Sequence, residues 1–129
     1  MLVFRHPDHP EAGIQVPGGT AAAGEDPAAG VLREAVEETG LTSLRLVAHL
    51  GDFEQSVLER DEVWTRHCYH LTCEADPPET WRHDELTPSD DTPGPITLEF
   101  FWVNLPDGVP ALAAGHEVML SRVEWPERR

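Results

Sequence analysis

Residues 19–41 read GTAAAGEDPAAGVLREAVEETGL, and the helix they encode is bracketed at both ends. Asp26 offers a side-chain acceptor to the unpaired N–H groups of a first turn, and Pro27 has no N–H to satisfy there. Gly40 follows the last periodic residue, where glycine takes the left-handed backbone that stops a helix. The spacing predicts a helix over Pro27–Thr39. On it Glu34 and Glu37 are three residues apart and Glu34 and Glu38 four, so the three carboxylates share a face, while Val31, Leu32 and Ala35 supply apolar surface for docking. Like charges at these offsets destabilise an isolated helix, and a divalent cation among them reverses the sign. Oxygen ligands select Mg²⁺, with Mn²⁺ the alternative, and the chain has neither paired CxxC nor HExxH to favour a softer ion.

Gly19, Glu25, Arg33, Glu34, Glu37, Glu38 and Gly40, with Ala35 and Leu41 apolar, fill the pattern glycine, five residues, glutamate, seven residues, Arg-Glu-apolar-x-Glu-Glu-x-Gly-apolar. This resembles the signature of the Nudix pyrophosphohydrolases. The resemblance implies a Nudix-type α/β/α sandwich with a mixed sheet, and a hydrolase that splits a diphosphate linkage. It implies that Glu34, Glu37 and Glu38 are metal ligands, with Glu37 and Glu38 the principal pair. By the same likeness Gly19 offers a backbone carbonyl to the metal, Arg33 orients a glutamate through a salt bridge, and Glu25 supports the loop and helix. Glu99, three residues before Trp102 in ITLEFFWV, is similar to a Nudix strand glutamate that completes the metal site or acts as base; Glu85 is the rival base. His116 and Glu117 fall in a region that reads the base in some family members.

The remaining chain reads as one domain over 1–129, long enough to bury a core. Leu2–Arg5 and Ile14–Val16 are short strands, the second before the Pro17-Gly18-Gly19 turn. Leu44–Leu50 and Val63–Cys73 are antiparallel strands joined through 52–61, the second alternating Val63, Thr65, His67, Tyr69 and Leu71 against Trp64, Arg66, Cys68 and His70. Glu74–Pro95, rich in Asp, Glu, Pro and Thr with Trp81 its one large aromatic residue, reads as a long surface loop and candidate lid. Ile96–Val103 is a strand and His116–Val123 a short helix. Nudix domains usually carry a further strand before the one at Leu2–Arg5; here either the true start lies upstream, or the sheet lacks that strand and a neighbouring chain covers the gap, since an uncovered edge favours a homodimer.

A formal net charge of −15 argues against binding nucleic-acid backbones or anionic membranes, and makes cations necessary if the ligand is a polyphosphate. Among few basic residues, Arg5 and Arg66 are candidate phosphate contacts, with solvent exposure expected for Arg66. His67 and His70 have no spacing that suggests a zinc pair on one strand face. Trp64, Phe53, Phe101 and Trp102 are aromatic candidates for stacking on a base, though aromatics near strands are more often core. Cys68 and Cys73 lie an odd five residues apart, on opposite faces of a strand, so no disulfide is expected. With no leader and no bilayer-length apolar run, a cytoplasmic protein is expected.

The function expected is therefore a divalent-metal-dependent hydrolase acting on a nucleoside diphosphate linked to another group: a nucleoside triphosphate, a nucleotide sugar or a dinucleoside polyphosphate. A MutT-like housekeeping pyrophosphatase is the simplest version. The alternatives are a non-catalytic nucleotide-sensing Nudix domain and a metal-dependent isomerase of the same fold. The motif specifies metal and diphosphate but not the flanking group.

Overall fold

The computed structural model describes residues 1–19, 21–57, 61–85, 95–105, 107–113, 116–118 and 120–123. Its elements are β1 (Leu2–Arg5), a 3-10 turn (Pro10–Ala12), α1 (Pro27–Thr39), β2 (Leu44–Val57), β3 (Glu62–Cys73), β4 (Thr80–Glu85), β5 (Ile96–Trp102) and a last 3-10 turn (Leu120–Arg122). The strands form two antiparallel sheets, β1-β5-β4 and β2-β3. This one-helix, two-sheet arrangement is consistent with the expected α/β/α sandwich. Among the described residues, the parallel pairing a mixed sheet calls for is confined to the isolated bridge Ile14–Leu112.

Helix α1 has the expected bounds for the expected reasons. Asp26 accepts a hydrogen bond from the Ala29 N–H at 3.2 Å, Pro27 occupies the first turn, and Gly40 adopts φ 78° while its N–H bonds the Val36 carbonyl. The helix packs against β4, β2 and β3.

The buried centre of the three-stranded sheet is Phe4, Leu98 and Phe100, with Leu2, Trp81 and Ile96 packed against it. Phe100 stacks on Trp81 at 5.1 Å between ring centroids and meets Phe4 at 5.5 Å. Because side chains alternate along a strand, these residues define one face. Val3, Arg5, Glu99, Phe101 and Arg82 lie on the other, as the register Arg5↔Glu99↔Arg82 requires.

Four expectations are corrected. The stretch Glu74–Pro95 is not all loop, because Thr80–Glu85 forms β4 and pairs with β5 from Thr80↔Phe101 to Glu85↔Ile96. Its burial alternates strictly, but with Trp81 the only apolar residue the period of two leaves little hydrophobic signal. Pairing to a buried strand outweighs the poor strand preference of Asp and Glu; residues 86–94 of that stretch lie outside the described residues. Ile14–Val16 makes bridges at Gln15 and Ile14 and no strand. In His116–Val123 the described residues form a turn at 116–118 and a 3-10 segment at Leu120–Arg122 in place of the expected helix. Finally, β2 continues through Val57, absorbing residues 52–57 that were expected to be connection.

The outer edge of β1 is also met at Phe4. Gln15 takes both its backbone hydrogen bonds, Phe4 N–H to the Gln15 carbonyl at 2.9 Å and Gln15 N–H to the Phe4 carbonyl at 3.0 Å. The edge argument for a homodimer therefore loses its basis at that position.

Candidate active site

The carboxylates of α1 differ sharply in surroundings although they share one face. Glu34 and Glu38 are buried, at 8 % and 5 % exposure, whereas the Glu37 side chain is half exposed. Arg33 links three acids. Its Nε and Nη2 donate to the two oxygens of Glu25, each at 2.9 Å, and its Nη1 donates to Glu34 at 3.0 Å and Glu37 at 3.2 Å. The fork-shaped guanidinium suits this pairing as a lysine would not. Glu25 also accepts the Ala22 N–H at 2.8 Å, so it ties the loop after Gly19 to the helix. The Arg33 bonds, with help from Ala22, hold the Glu25 carboxyl down to about 2.

Glu38 is placed differently. Its Oε1 accepts the Gly18 N–H at 2.9 Å, and no arginine reaches it among the described contacts. Burial, with added repulsion from Glu85 and Glu34, pushes its carboxyl up to about 8 against the opposing Gly18 bond. Gly19 runs so close to Glu34 that a Cβ there would overlap the Glu34 carboxylate. The space beside Gly19 is thus filled by a carboxylate and shaped for a residue without a side chain.

Strand β4 fixes the last turn of this helix. The Trp81 indole N–H donates to the Thr39 carbonyl at 2.9 Å, and His83 Nε2 donates to the Glu37 carbonyl at 3.0 Å. These bonds satisfy two carbonyls that a helix end leaves unpaired. Glu85 follows on the same face of β4, close enough to Glu38 for its charge to be felt there. Neither Trp81 nor His83 was singled out from the sequence as a partner of the helix. The signal was the alternation Trp81, His83, Glu85, hidden by the polar composition around it.

The structure separates the remaining candidates. Glu99 lies on the sheet face turned away from α1, 3.8 Å from Arg5 Nε and accepting from Arg82 Nε at 3.3 Å. Arg5 is exposed and its guanidinium sits 4.3 Å from the Phe101 ring centroid on that far face. Arg66 is not solvent-exposed as expected; it is half-buried, donates to Gln55 at 2.7 Å, and lies 5.2 Å from the Trp64 ring centroid. His116 accepts the Val16 N–H on Nδ1 at 3.0 Å, and burial together with the charge of Arg66 lowers its pKa. Glu117 and Trp102 are exposed, Trp102 donating to the Pro78 carbonyl at 3.0 Å, while Phe53 is half-buried. Cys68 and Cys73 are free thiols.

One convergence went unseen in the sequence. His67 finds its partner not in His70 but across the β2–β3 hairpin, where His49 and His67 both reach Asp52. The available signal was Gly51, a glycine inside a strand-like run, which marks a bulge that re-aims neighbouring side chains.

A partly buried acidic helix end, tied to the glycine turn by the Glu38–Gly18 bond and braced by Arg33, defines a class of oxygen-rich site. The family model for the NUDIX domain matches residues 1–123, and the chain belongs to that family. No curated protein and no solved structure matches it. The family typically comprises hydrolases that use divalent metals, which agrees with the donor set gathered at α1. Among the described residues, no helix is long and apolar enough to cross a membrane.

Proposed function

We propose that this protein is a Mg²⁺-dependent pyrophosphohydrolase acting on a nucleoside diphosphate linked to another group, with Mn²⁺ able to replace Mg²⁺. Glu34, Glu37, Glu38 and the Gly19 carbonyl are the proposed ligands. The observation that carries this reading is a shortage of positive charge. Glu25, Glu34 and Glu37 share the Arg33 guanidinium, while among the described contacts no arginine reaches Glu38, whose carboxyl is pushed up to about 8 by burial and by the charges of Glu85 and Glu34. The donor set fits a hard ion: all oxygen, two of the acids buried, and a side-chain-free backbone against one of them.

Bound there, the ion would neutralise the diphosphate and acidify a coordinated water. The protein's own residues have separate tasks. Arg33 holds Glu34 and Glu37 at fixed positions, and Trp81 and His83 hold the helix turn that carries Glu37 and Glu38. Glu85 is the proposed base, taking a proton from the water that attacks phosphorus as the bridging oxygen leaves with the other phosphate group. Glu85 is favoured over Glu99 because it shares the α1 side of the sheet, whereas Glu99 is engaged with Arg5 and Arg82 on the opposite side. The two free thiols fit the reducing cytoplasm that this reading assigns.

A panel of nucleoside triphosphates, nucleotide sugars and dinucleoside polyphosphates, assayed with Mg²⁺ for phosphate or pyrophosphate release, tests the proposal. Turnover of one class that stops with excess EDTA is expected. Absence of turnover across the panel, while a nucleotide still raises Tm, would identify a sensor instead.

A further inference from the structure

On the β2–β3 hairpin, His49 Nε2 and His67 Nδ1 lie 2.7 Å and 2.8 Å from the same oxygen, Asp52 Oδ1. The three ligand-type atoms all fall within 4.8 Å of one another, and all three residues are exposed. We propose that this trio is a second metal site, for a zinc-class divalent cation, distinct in chemistry from the oxygen-only cluster at α1. Nothing in the proposal depends on the hydrolase reading.

The backbone argues that the convergence is built in. His49 and Asp52 are three residues apart, so in a regular strand they would point to opposite faces. The register slips between His49 and Gly51: His49 pairs with Tyr69 and Gly51 with Cys68, which leaves Leu50 as the extra residue and returns Asp52 to the face of His49. Gly51 sits at φ 139°, a conformation that side-chain-bearing residues rarely adopt. His67 is the direct cross-strand partner of Asp52, and Tyr69, two residues on, lies on the same face. The Tyr69 ring stacks on His49 at 4.7 Å between centroids with 24° between planes, fixing the imidazole's orientation. A bulge, a positive-φ glycine and a stacked aromatic therefore act together to aim three donors at one point.

The donor chemistry selects the ion. Two imidazoles and one carboxylate suit Zn²⁺, Co²⁺, Ni²⁺ or Cu²⁺, whereas Mg²⁺ prefers oxygen alone. Zinc with ligand distances of about 2.0–2.2 Å places tetrahedral ligands roughly 3.3 Å apart. The observed 2.7 Å and 2.8 Å contacts would open by about 0.5 Å, and the two ring nitrogens, within 4.8 Å of each other, would come to the same spacing, as the ion takes the place of the ring protons now directed at Asp52. Three protein ligands leave a fourth position to water, as in sites that stay open to solvent.

The test is a Zn²⁺ titration of the full-length, metal-free protein by calorimetry, in excess Mg²⁺ to occupy the glutamate cluster. In parallel, long-range ¹H–¹⁵N spectra follow the histidine rings of the unmutated protein. One zinc per chain is expected, with the His49 Nε2 and His67 Nδ1 resonances shifting together and the other histidines unmoved. Affinity should fall at least tenfold in His49→Gln and in His67→Gln and persist in Glu38→Gln. Ring resonances that stay fixed at saturating zinc would show a hydrogen-bonded trio and no metal site. Zinc binding unchanged in His67→Gln, or lost only in Glu38→Gln, would equally overturn the assignment.

Discussion

The two candidate metal clusters are assembled in opposite ways. At α1 the donors are local in sequence, all oxygen, and partly buried, and Asp26, Arg33 and Gly40, which shape the helix, lie within the same stretch of chain, with Trp81 and His83 of β4 bracing its last turn. At the hairpin the donors come from two strands, are exposed, and meet only because a bulge shifts the register. Burial makes ionising the first cluster expensive, since Glu38 is shielded from water. The second can exist as a hydrogen-bonded trio in water at little cost. The difference teaches that the helix site should be coupled to stability and the hairpin site should not.

The sharpest attempt to break that contrast is Glu38→Gln. Turnover should fall by about a hundredfold or more, because the variant removes charge from the proposed metal site while keeping its shape. The metal-free protein should not be destabilised, since the amide removes a poorly solvated carboxylate. A near-parental rate at saturating Mg²⁺ would remove Glu38 from the ligand set. Glu85→Gln comes next, with a loss of about 10²-fold in kcat expected of a general base and KM changed little. Equal loss of kcat and of Mg²⁺ affinity would make Glu85 a ligand instead.

Coupling to stability gives the third test. Folded Glu38 keeps its proton up to about 8, while an unfolded carboxyl releases it near 4.5. Between those values the folded state binds more protons, so this group makes stability fall as pH rises from 4.5 to 8 and adds nothing further above. The effect is on the order of a few kcal/mol. Glu25 does not blur this window. Its depressed carboxyl contributes stability above its ordinary value that is lost only as pH falls towards 2. His116, lowered by burial, works in the opposite direction around its ordinary value. The measurement is therefore the difference in urea midpoint between the parent and Glu38→Gln across pH 5–8, without metal. A pH-independent difference would refute the coupling.

What the sequence disclosed follows the same division. Helix bounds, caps and the shared glutamate face were legible because each depends on residues a few positions apart. The sequence placed Glu99 ahead of Glu85 as base, because their sides of the sheet depend on the β4–β5 register and β4 itself was hidden in an acidic, proline-rich stretch. Arg66 was misjudged as exposed for a related reason: its alternation with His67 was visible, but which face is half-buried is decided by packing. His49, Asp52 and His67 required a register with a bulge, which alternation in either strand alone does not reveal.

Gly51→Ala should perturb only the hairpin. With φ at 139°, an alanine strains the backbone or straightens the bulge, and either outcome turns His49 away from Asp52. Zinc affinity should drop about tenfold, corresponding to roughly 1.4 kcal/mol, while nucleotide hydrolysis stays within twofold. Hydrolysis falling in step with zinc binding would mean the two clusters are one functional unit.

The smallest effect is expected at Glu99. Its partners Arg5 and Arg82 are exposed, and pairs of that kind contribute about 0–1 kcal/mol each. Glu99→Gln should therefore lower Tm by no more than a few degrees and leave kcat, KM and the Mg²⁺ dependence within about twofold, since α1 lies across the sheet from it. The comparison is informative because Glu85 and Glu99 are the same residue type on neighbouring, paired strands, differing in the face they present. A kcat loss at Glu99 matching that at Glu85 would mean the chemistry reaches both faces of the sheet, and the assignment of the base by side of the sheet would fail.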